Sequence, residues 1–235
     1  MKQVLIVGAT SGIGLQLARD YAADGWQVLA AGRNIAAVSE LVNVSAIAVD
    51  ITDAQQVEQA FAALPDQALD LLILNAGTCE YLDTQQFDGA AFARVINTNL
   101  VALGYCLQQL LTKLNDGGQL ALTGSAVVHL PFPRAEAYGA SKAAVHYLAG
   151  SLRLDLASRA IAVSEIQPGF VATPLTARNQ FNMPWLMTPA EASMRIRRGL
   201  ARRQTTIAFP RRLIWSLKLL SLLPMSWQHR FLHRM

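Results

Sequence analysis

The 235-residue chain predicts an α/β fold, a doubly wound parallel sheet of six or seven strands with helices on both faces. Three observations carry that expectation. Apolar runs such as Val4-Leu5-Ile6-Val7 are unbroken rather than alternating, which suits strands covered on both faces. Segments of helical spacing follow the runs, the alternation of a parallel sheet with right-handed crossovers. Polar or turn-forming residues stand after successive runs: Gly8, Arg33, Asp50, Asn75, Ser125 and Pro168. Sheets of this kind bind ligands at the carboxyl ends of their strands.

The first strand, residues 2–7, stops at Gly8-Ala9-Thr10-Ser11-Gly12-Ile13-Gly14, and Ile13, Leu17 and Tyr21 then share one helical face. Strand, glycine turn and helix together suit a pyrophosphate. Glycine lets the backbone approach it, and the helix N-terminus offers free N–H groups. The spacing is G-x-x-x-G-x-G rather than G-x-G-x-x-G. A second strand spans 27–31, where an acidic residue at the end would accept from the 2′-hydroxyl of NAD. The sequence there reads Ala30-Ala31-Gly32-Arg33-Asn34, without a carboxylate. Arg33 suits a 2′-phosphate, so NADP(H) is expected over NAD(H).

The third strand, 45–49, leads to Asp50, Ile51 and a helix with Asp53 at its start. The fourth, 69–74, ends at Asn75-Ala76-Gly77. One long helix is expected over 89–114, carrying Asn97 and Asn99 among Leu100, Leu103, Leu107 and Leu111. A fifth strand, 119–123, ends at Gly124-Ser125. Pro131 and Pro133 make 126–136 a non-helical loop. A helix then runs to about residue 158, and a sixth strand, 160–166, ends at Pro168-Gly169.

Composition narrows the function. Hydrophobic residues make up 52% of the chain, which excludes a disordered protein. Two cysteines, Cys79 and Cys106, fit neither a disulfide framework nor a metal site. No leader peptide is apparent, so a cytoplasmic location is the default expectation. Charge is uneven. Residues 1–191 hold ten cations and all sixteen acids, a net −6, and residues 192–235 hold ten cations and no acid.

Within the helix that follows the proline loop, Tyr138 and Lys142 stand four apart, so phenol and ammonium share a face. A free phenol has a pKa of about 10, and a nearby cation favours the phenolate. That makes tyrosine a candidate acid–base group.

These residues resemble the short-chain dehydrogenase/reductase family in its compact, single-domain, Rossmann-type form. The matches are Gly8, Gly12 and Gly14, Asp50, Asn75-Ala76-Gly77, the set Asn99, Ser125, Tyr138 and Lys142, and Pro168-Gly169. They cover roughly residues 1–175. Val7 departs from the family, which has threonine before the first glycine. The resemblance implies catalysis of hydride transfer between a nicotinamide and a carbonyl or alcohol. Ser125 would polarise the substrate oxygen, and Tyr138 would move its proton. Lys142 would lower the tyrosine pKa and bind the nicotinamide ribose, while Asn99 would hold a water serving Lys142. Cofactor contacts are expected from Gly8, Thr10, Ser11, Gly12, Ile13, Gly14, Arg33, Asp50, Ile51, Asn75, Ala76, Gly77, Tyr138, Lys142, Pro168, Gly169, Val171 and Thr173. A homodimer or homotetramer is also implied. A non-catalytic sensor or scaffold that binds the dinucleotide is the competing class.

Residues 170–210 are expected to set substrate specificity. Phe181, Met183, Trp185 and Met187 give either a lid or a packed connection, and point to an apolar substrate. A helix over 191–203 and a seventh strand over 205–209 follow. The extension 211–235 is basic and apolar. Its run 213–223 is too short for a bilayer, which needs about 20 residues. Two placements are open: on an anionic membrane surface, with Trp215 and Trp227 at the headgroups, or packed on protein. No nucleic-acid-reading motif accompanies the arginines.

Overall fold

A computed structural model describes residues 1–232; His233, Arg234 and Met235, the end of the expected basic extension, lie outside the described residues. Seven parallel strands form one sheet. They are β1 (Gln3–Val7), β2 (Gln27–Gly32), β3 (Val44–Ala48), β4 (Leu69–Leu74), β5 (Leu114–Thr123), β6 (Ala162–Pro168) and β7 (Thr206–Phe209). Their spatial order is β3-β2-β1-β4-β5-β6-β7, so the direction of winding reverses between β1 and β4. The expected doubly wound sheet is borne out, with its seventh strand.

Among the described residues, eight α-helices connect or follow the strands: α1 (Gly12–Ala23), α2 (Ala54–Phe61), α3 (Gly89–Ile96), α4 (Ala102–Leu110), α5 (Glu136–Asp155), α6 (Pro189–Ala201), α7 (Arg211–Ser221) and α8 (Met225–Leu232). The unbroken apolar runs divide by strand parity, because successive side chains point to opposite faces. Leu5, Val7, Leu72 and Leu74 pack on one face with Phe61, Leu110 and Val145. Val4, Ile6, Leu71 and Ile73 pack on the other with Leu17, Ala18 and Ile196. Burying both faces is what makes these runs continuous.

Local signals set the helix starts. Asp53 and Asp88 each accept two backbone N–H bonds at the N-termini of α2 and α3. Thr188 and Glu191 form a reciprocal capping box at α6, with Pro189 in its first turn. α6 is also tied to α1: Ser193 Oγ donates to Asp20 at 2.5 Å, and Arg197 pairs with Asp20 and Asp24.

Three expectations change. The single helix over 89–114 is two α-helices joined by a π-turn, Asn97–Val101, and it ends at Leu110. One extra residue in the turn places Asn99, fully buried, against the loop after β4. β5 begins at Leu114 rather than 119, because Asp116-Gly117-Gly118 is absorbed as an irregularity between the Leu69–Leu114 and Leu71–Gln119 pairings. The loop after β5 opens with a 3₁₀ turn, Ala126–His129, capped by Ser125; its prolines begin only at Pro131.

Candidate active site

The carboxyl ends of β1, β2, β4, β5 and β6 border one cleft of about 610 Å³. The sequence places its parts there because each follows a strand end. Gly8 has φ +82°, and a Cβ on it would lie 2.6 Å from the Ala76 backbone. A Cβ on Gly14 would overlap the Gly8 carbonyl oxygen. Both positions therefore admit only glycine, and the loop runs close under the cleft. Ser11 precedes α1 without a side-chain cap, which leaves the first-turn amides of α1 to an anion.

Asn75 braces this loop. Its Nδ2 donates to the Gly8 carbonyl at 3.2 Å, and its Oδ1 accepts from Thr123 Oγ1 at 3.2 Å. Val7, where the family has threonine, thus leaves the loop with support from β4 and β5. From the other side, Thr173 comes over the glycine turn: a Cβ on Gly12 would lie 2.9 Å from its methyl group.

Most of the expected cofactor set lines the cleft: Gly8, Thr10, Ser11, Gly12, Ile13, Arg33, Asp50, Ile51, Asn75, Ala76, Gly77, Tyr138, Lys142, Pro168, Gly169, Val171 and Thr173. Gly14 does not line it, and its role is to let the Gly8 carbonyl approach. Arg33 is exposed and has no ion-pair partner among the described residues. Asp50 turns one carboxylate oxygen inward, accepting from Thr52 N at 3.0 Å and Thr52 Oγ1 at 2.8 Å.

The second group lies where β5 and α5 meet. Lys142 is 4% exposed, and its ammonium donates to the Thr123 carbonyl at 2.8 Å. Nζ stands 5.8 Å from the centre of the Tyr138 ring. Burial holds the Lys142 pKa down at about 8, against slight opposition from Cys79 and Glu165. Tyr138 departs from the expected direction. Burial pushes its phenol up to about 12, while hydrogen bonding by Ser125 acts the other way and Cys79 adds to the rise. Removal from water outweighs the Ser125 hydrogen bond, so the phenol is protonated at neutral pH.

The buried amide of Asn99 has protein partners. Oδ1 accepts from Thr78 N at 2.7 Å, and Nδ2 donates to the Thr78 carbonyl at 2.9 Å and to Ser141 Oγ at 3.0 Å. Ser141 Oγ in turn donates to the Tyr138 carbonyl at 2.7 Å. Asn99 thereby fastens the loop after β4 to the turn of α5 that bears Tyr138.

Several contributors escaped the sequence reading. Thr78 acts through its backbone N–H and carbonyl, and Thr123 through its carbonyl as well as its hydroxyl; no residue pattern reports the backbone groups. Glu165 on β6 is 1% exposed; one oxygen meets His146 Nδ1 at 2.7 Å, and the other has no partner among the described residues. A Cβ on Gly124 would lie 2.6 Å from that second oxygen. The available signal was a carboxylate inside a strand, Ala162-Val163-Ser164-Glu165-Ile166-Gln167-Pro168. Glu80, Arg94 and Arg178 also line the cleft.

The arrangement has counterparts. The family model for short chain dehydrogenases matches residues 2–183. An uncharacterized oxidoreductase of Myxococcus xanthus (strain DK1622) is 31% identical over 235 residues, covering 95% of this chain and 93% of that protein. A serine 3-dehydrogenase of Agrobacterium fabrum (strain C58 / ATCC 33970) is 34% identical over 184 residues, covering 74% and 73%. In fold, the crystal structure of BdcA in complex with NADPH superposes with a TM-score of 0.77 at 24% identity, covering 88% of this chain and 91% of that one. With a family match over most of its length, the chain belongs to the short-chain dehydrogenase/reductase family of oxidoreductases.

Proposed function

We propose that the protein is an NADP-dependent oxidoreductase that moves a hydride between nicotinamide and an apolar carbonyl or alcohol substrate. The observation that carries this reading is the buried Lys142 ammonium, bonded to Thr123 and facing Tyr138 at the inner end of the glycine-bordered cleft. Nothing in the packing of the core needs a charged lysine there.

The residues present fit a dinucleotide. Gly8 and Gly14 leave room that a Cβ would fill, the uncapped start of α1 suits a pyrophosphate, and Arg33 stands at the end of β2 with no acid beside it. When bound, the cofactor supplies or accepts the hydride. Ser125 holds the substrate oxygen and polarises it. Tyr138 gives that oxygen a proton in the reducing direction and takes one in the oxidising direction. Lys142 holds the ribose hydroxyls and keeps a positive charge beside the phenol. Asn99 keeps the Tyr138 turn in place through Ser141.

Residues 170–210 form the specificity segment of a single domain spanning 1–235. Phe181 packs edge-on against both Phe170 and Tyr81, with ring centres 5.9 and 5.8 Å apart, and this supports an apolar substrate. A homodimer or homotetramer through α4 and α5 accounts for the exposure of Val101, Tyr147 and Leu154 on that side of the molecule.

Cofactor choice has a direct test. Titration should show tighter binding of NADPH than NADH, with Arg33→Ala losing about tenfold in NADPH affinity and little for NADH, as removal of a charge-assisted contact predicts. Equal affinity for both cofactors in the parent protein would refute the assignment.

A further inference from the structure

The structure resolves α7 into two apolar faces. Leu213, Ile214 and Leu217 are buried against Ala126 and Leu130, with Phe132 and Phe170 packed alongside. Trp215, Leu219 and Leu222 lie on the opposite side at helical spacing, 70%, 68% and 82% exposed. Gln228 fixes the next helix to the end of this one: its Nε2 donates to the carbonyls of Ser221 at 3.1 Å and Leu223 at 2.7 Å. That contact adds Met225 and Trp227, 71% and 60% exposed, to the same end of the molecule. Arg211, Arg212 and Lys218 are exposed around these side chains. An exposed apolar face of this size marks an interaction site.

The charge pattern chooses among partners. The cations around this face are Arg211, Arg212 and Lys218, and residues 192–235 include no acid, so a symmetric contact with a second copy would set like charges together with no acid of this segment to pair them. Nucleic acid would leave three leucine and methionine side chains and two tryptophans without an apolar partner. Tryptophan and leucine amid lysine and arginine fit an anionic lipid surface, with the apolar groups below the headgroups and the cations among them.

The position of α7 adds a substrate. A Cβ on Gly169, at the turn beside the cleft, would overlap Leu213, so α7 rests directly on the catalytic end of the sheet. From its buried face a row of aromatic rings runs through Phe170 to Phe181 and Tyr81, both exposed, and Tyr81 adjoins Glu80 at the border of the cleft. We propose that the outer face of α7 and the start of α8 dock the enzyme on an anionic phospholipid surface, and that it takes its apolar carbonyl or alcohol substrate from that lipid phase. The substrate half of this inference rests on the catalytic reading above; the docking half does not.

The test uses the full chain and the variant Trp215→Ser/Leu219→Ser/Leu222→Ser. Both are floated with vesicles of phosphatidylcholine alone and of phosphatidylcholine mixed with phosphatidylglycerol. The parent should float only with the anionic vesicles and be released by salt, and the variant should remain below. NADPH oxidation with decanal presented in anionic vesicles should fall about tenfold in the variant, as loss of buried apolar contact predicts. Oxidation with propanal in solution should not change. Equal flotation of both proteins, or no flotation of the parent, overturns docking. So does a sedimentation result in which the parent self-associates and the serine variant does not, since it assigns the face to a second copy. Flotation as expected without turnover of any aldehyde overturns the substrate half and the catalytic reading together. Turnover of propanal without flotation overturns docking alone.

Discussion

Tyr138→Phe is expected to bind NADPH as the parent does and to lose at least about 10²–10⁴-fold in turnover, the range a positioned proton donor supplies. The substitution removes one oxygen and leaves the ring, its packing and Lys142 in place. The raised pKa of Tyr138, about 12, gives the reason for expecting so large a loss in the reducing direction. A phenol that keeps its proton throughout the physiological range is present in its donor form at every pH of the assay. The check is a comparison of NADPH oxidation rates on a panel of aldehydes, ketones and quinones, with cofactor affinity measured separately. Undiminished turnover would remove Tyr138 from the mechanism; loss of cofactor binding would reassign it to the binding site.

Lys142→Met should separate activity from stability. Turnover is expected to fall by two orders of magnitude or more, the loss that follows from the proposed service of the ammonium to both the phenol and the ribose. The folded protein without cofactor is expected to become more stable. Burial lowers the Lys142 pKa from 10.5 to about 8, so the folded state disfavours the ammonium. Between these values the unfolded chain retains a proton that the folded chain has released, and stability rises with pH across that window. Below about pH 8 the cost of holding the charge is at its full extent, on the order of 3 kcal/mol. Methionine keeps much of the apolar stem and leaves the Thr123 carbonyl without its donor, which takes back roughly 1–3 kcal/mol. The net gain at neutral pH is therefore small, on the order of 1 kcal/mol, and should read as a higher denaturation midpoint. The parent's stability should climb from pH 8 toward 10.5, and the variant's should not. In the same parent, reduction should slow above about pH 8 as Lys142 gives up its charge. Identical stability profiles for the two proteins would contradict the assignment of the buried charge.

The sequence was most informative where a function depends on a residue type. Gly8 and Gly14 are dictated by contacts that a Cβ cannot make, and the resemblance to known oxidoreductases located Tyr138 and Lys142 before any contact was seen. It was least informative where the backbone acts. Lys142 bonds a carbonyl, and Asn99 bonds the two backbone groups of Thr78; any residue at 123 or 78 would present the same atoms. The π-turn at Asn97–Val101 was read as ordinary helix because one additional residue scarcely disturbs an apolar pattern over two dozen positions. The placement of α7 stayed open for another reason. Its apolar residues were visible, but both of its faces are apolar, and only packing tells which one the protein keeps for itself.

The bonds that tie α6 to α1 join positions 173 residues apart, Ser193 to Asp20 and Arg197 to Asp24. In terms of contact order, the first helix waits for nearly the last fifth of the chain. Pairing of β1 with β4 imposes a shorter wait, of 67 residues, on the glycine loop. Such long-range closure slows folding and exposes an apolar sheet edge while the chain emerges from the ribosome. Nascent chains that stop short of Ala201 thus leave Leu17, Ala18 and Ile6, part of the core that includes Ile196 and Leu200, uncovered. This face of the sheet is therefore closed last, by α6.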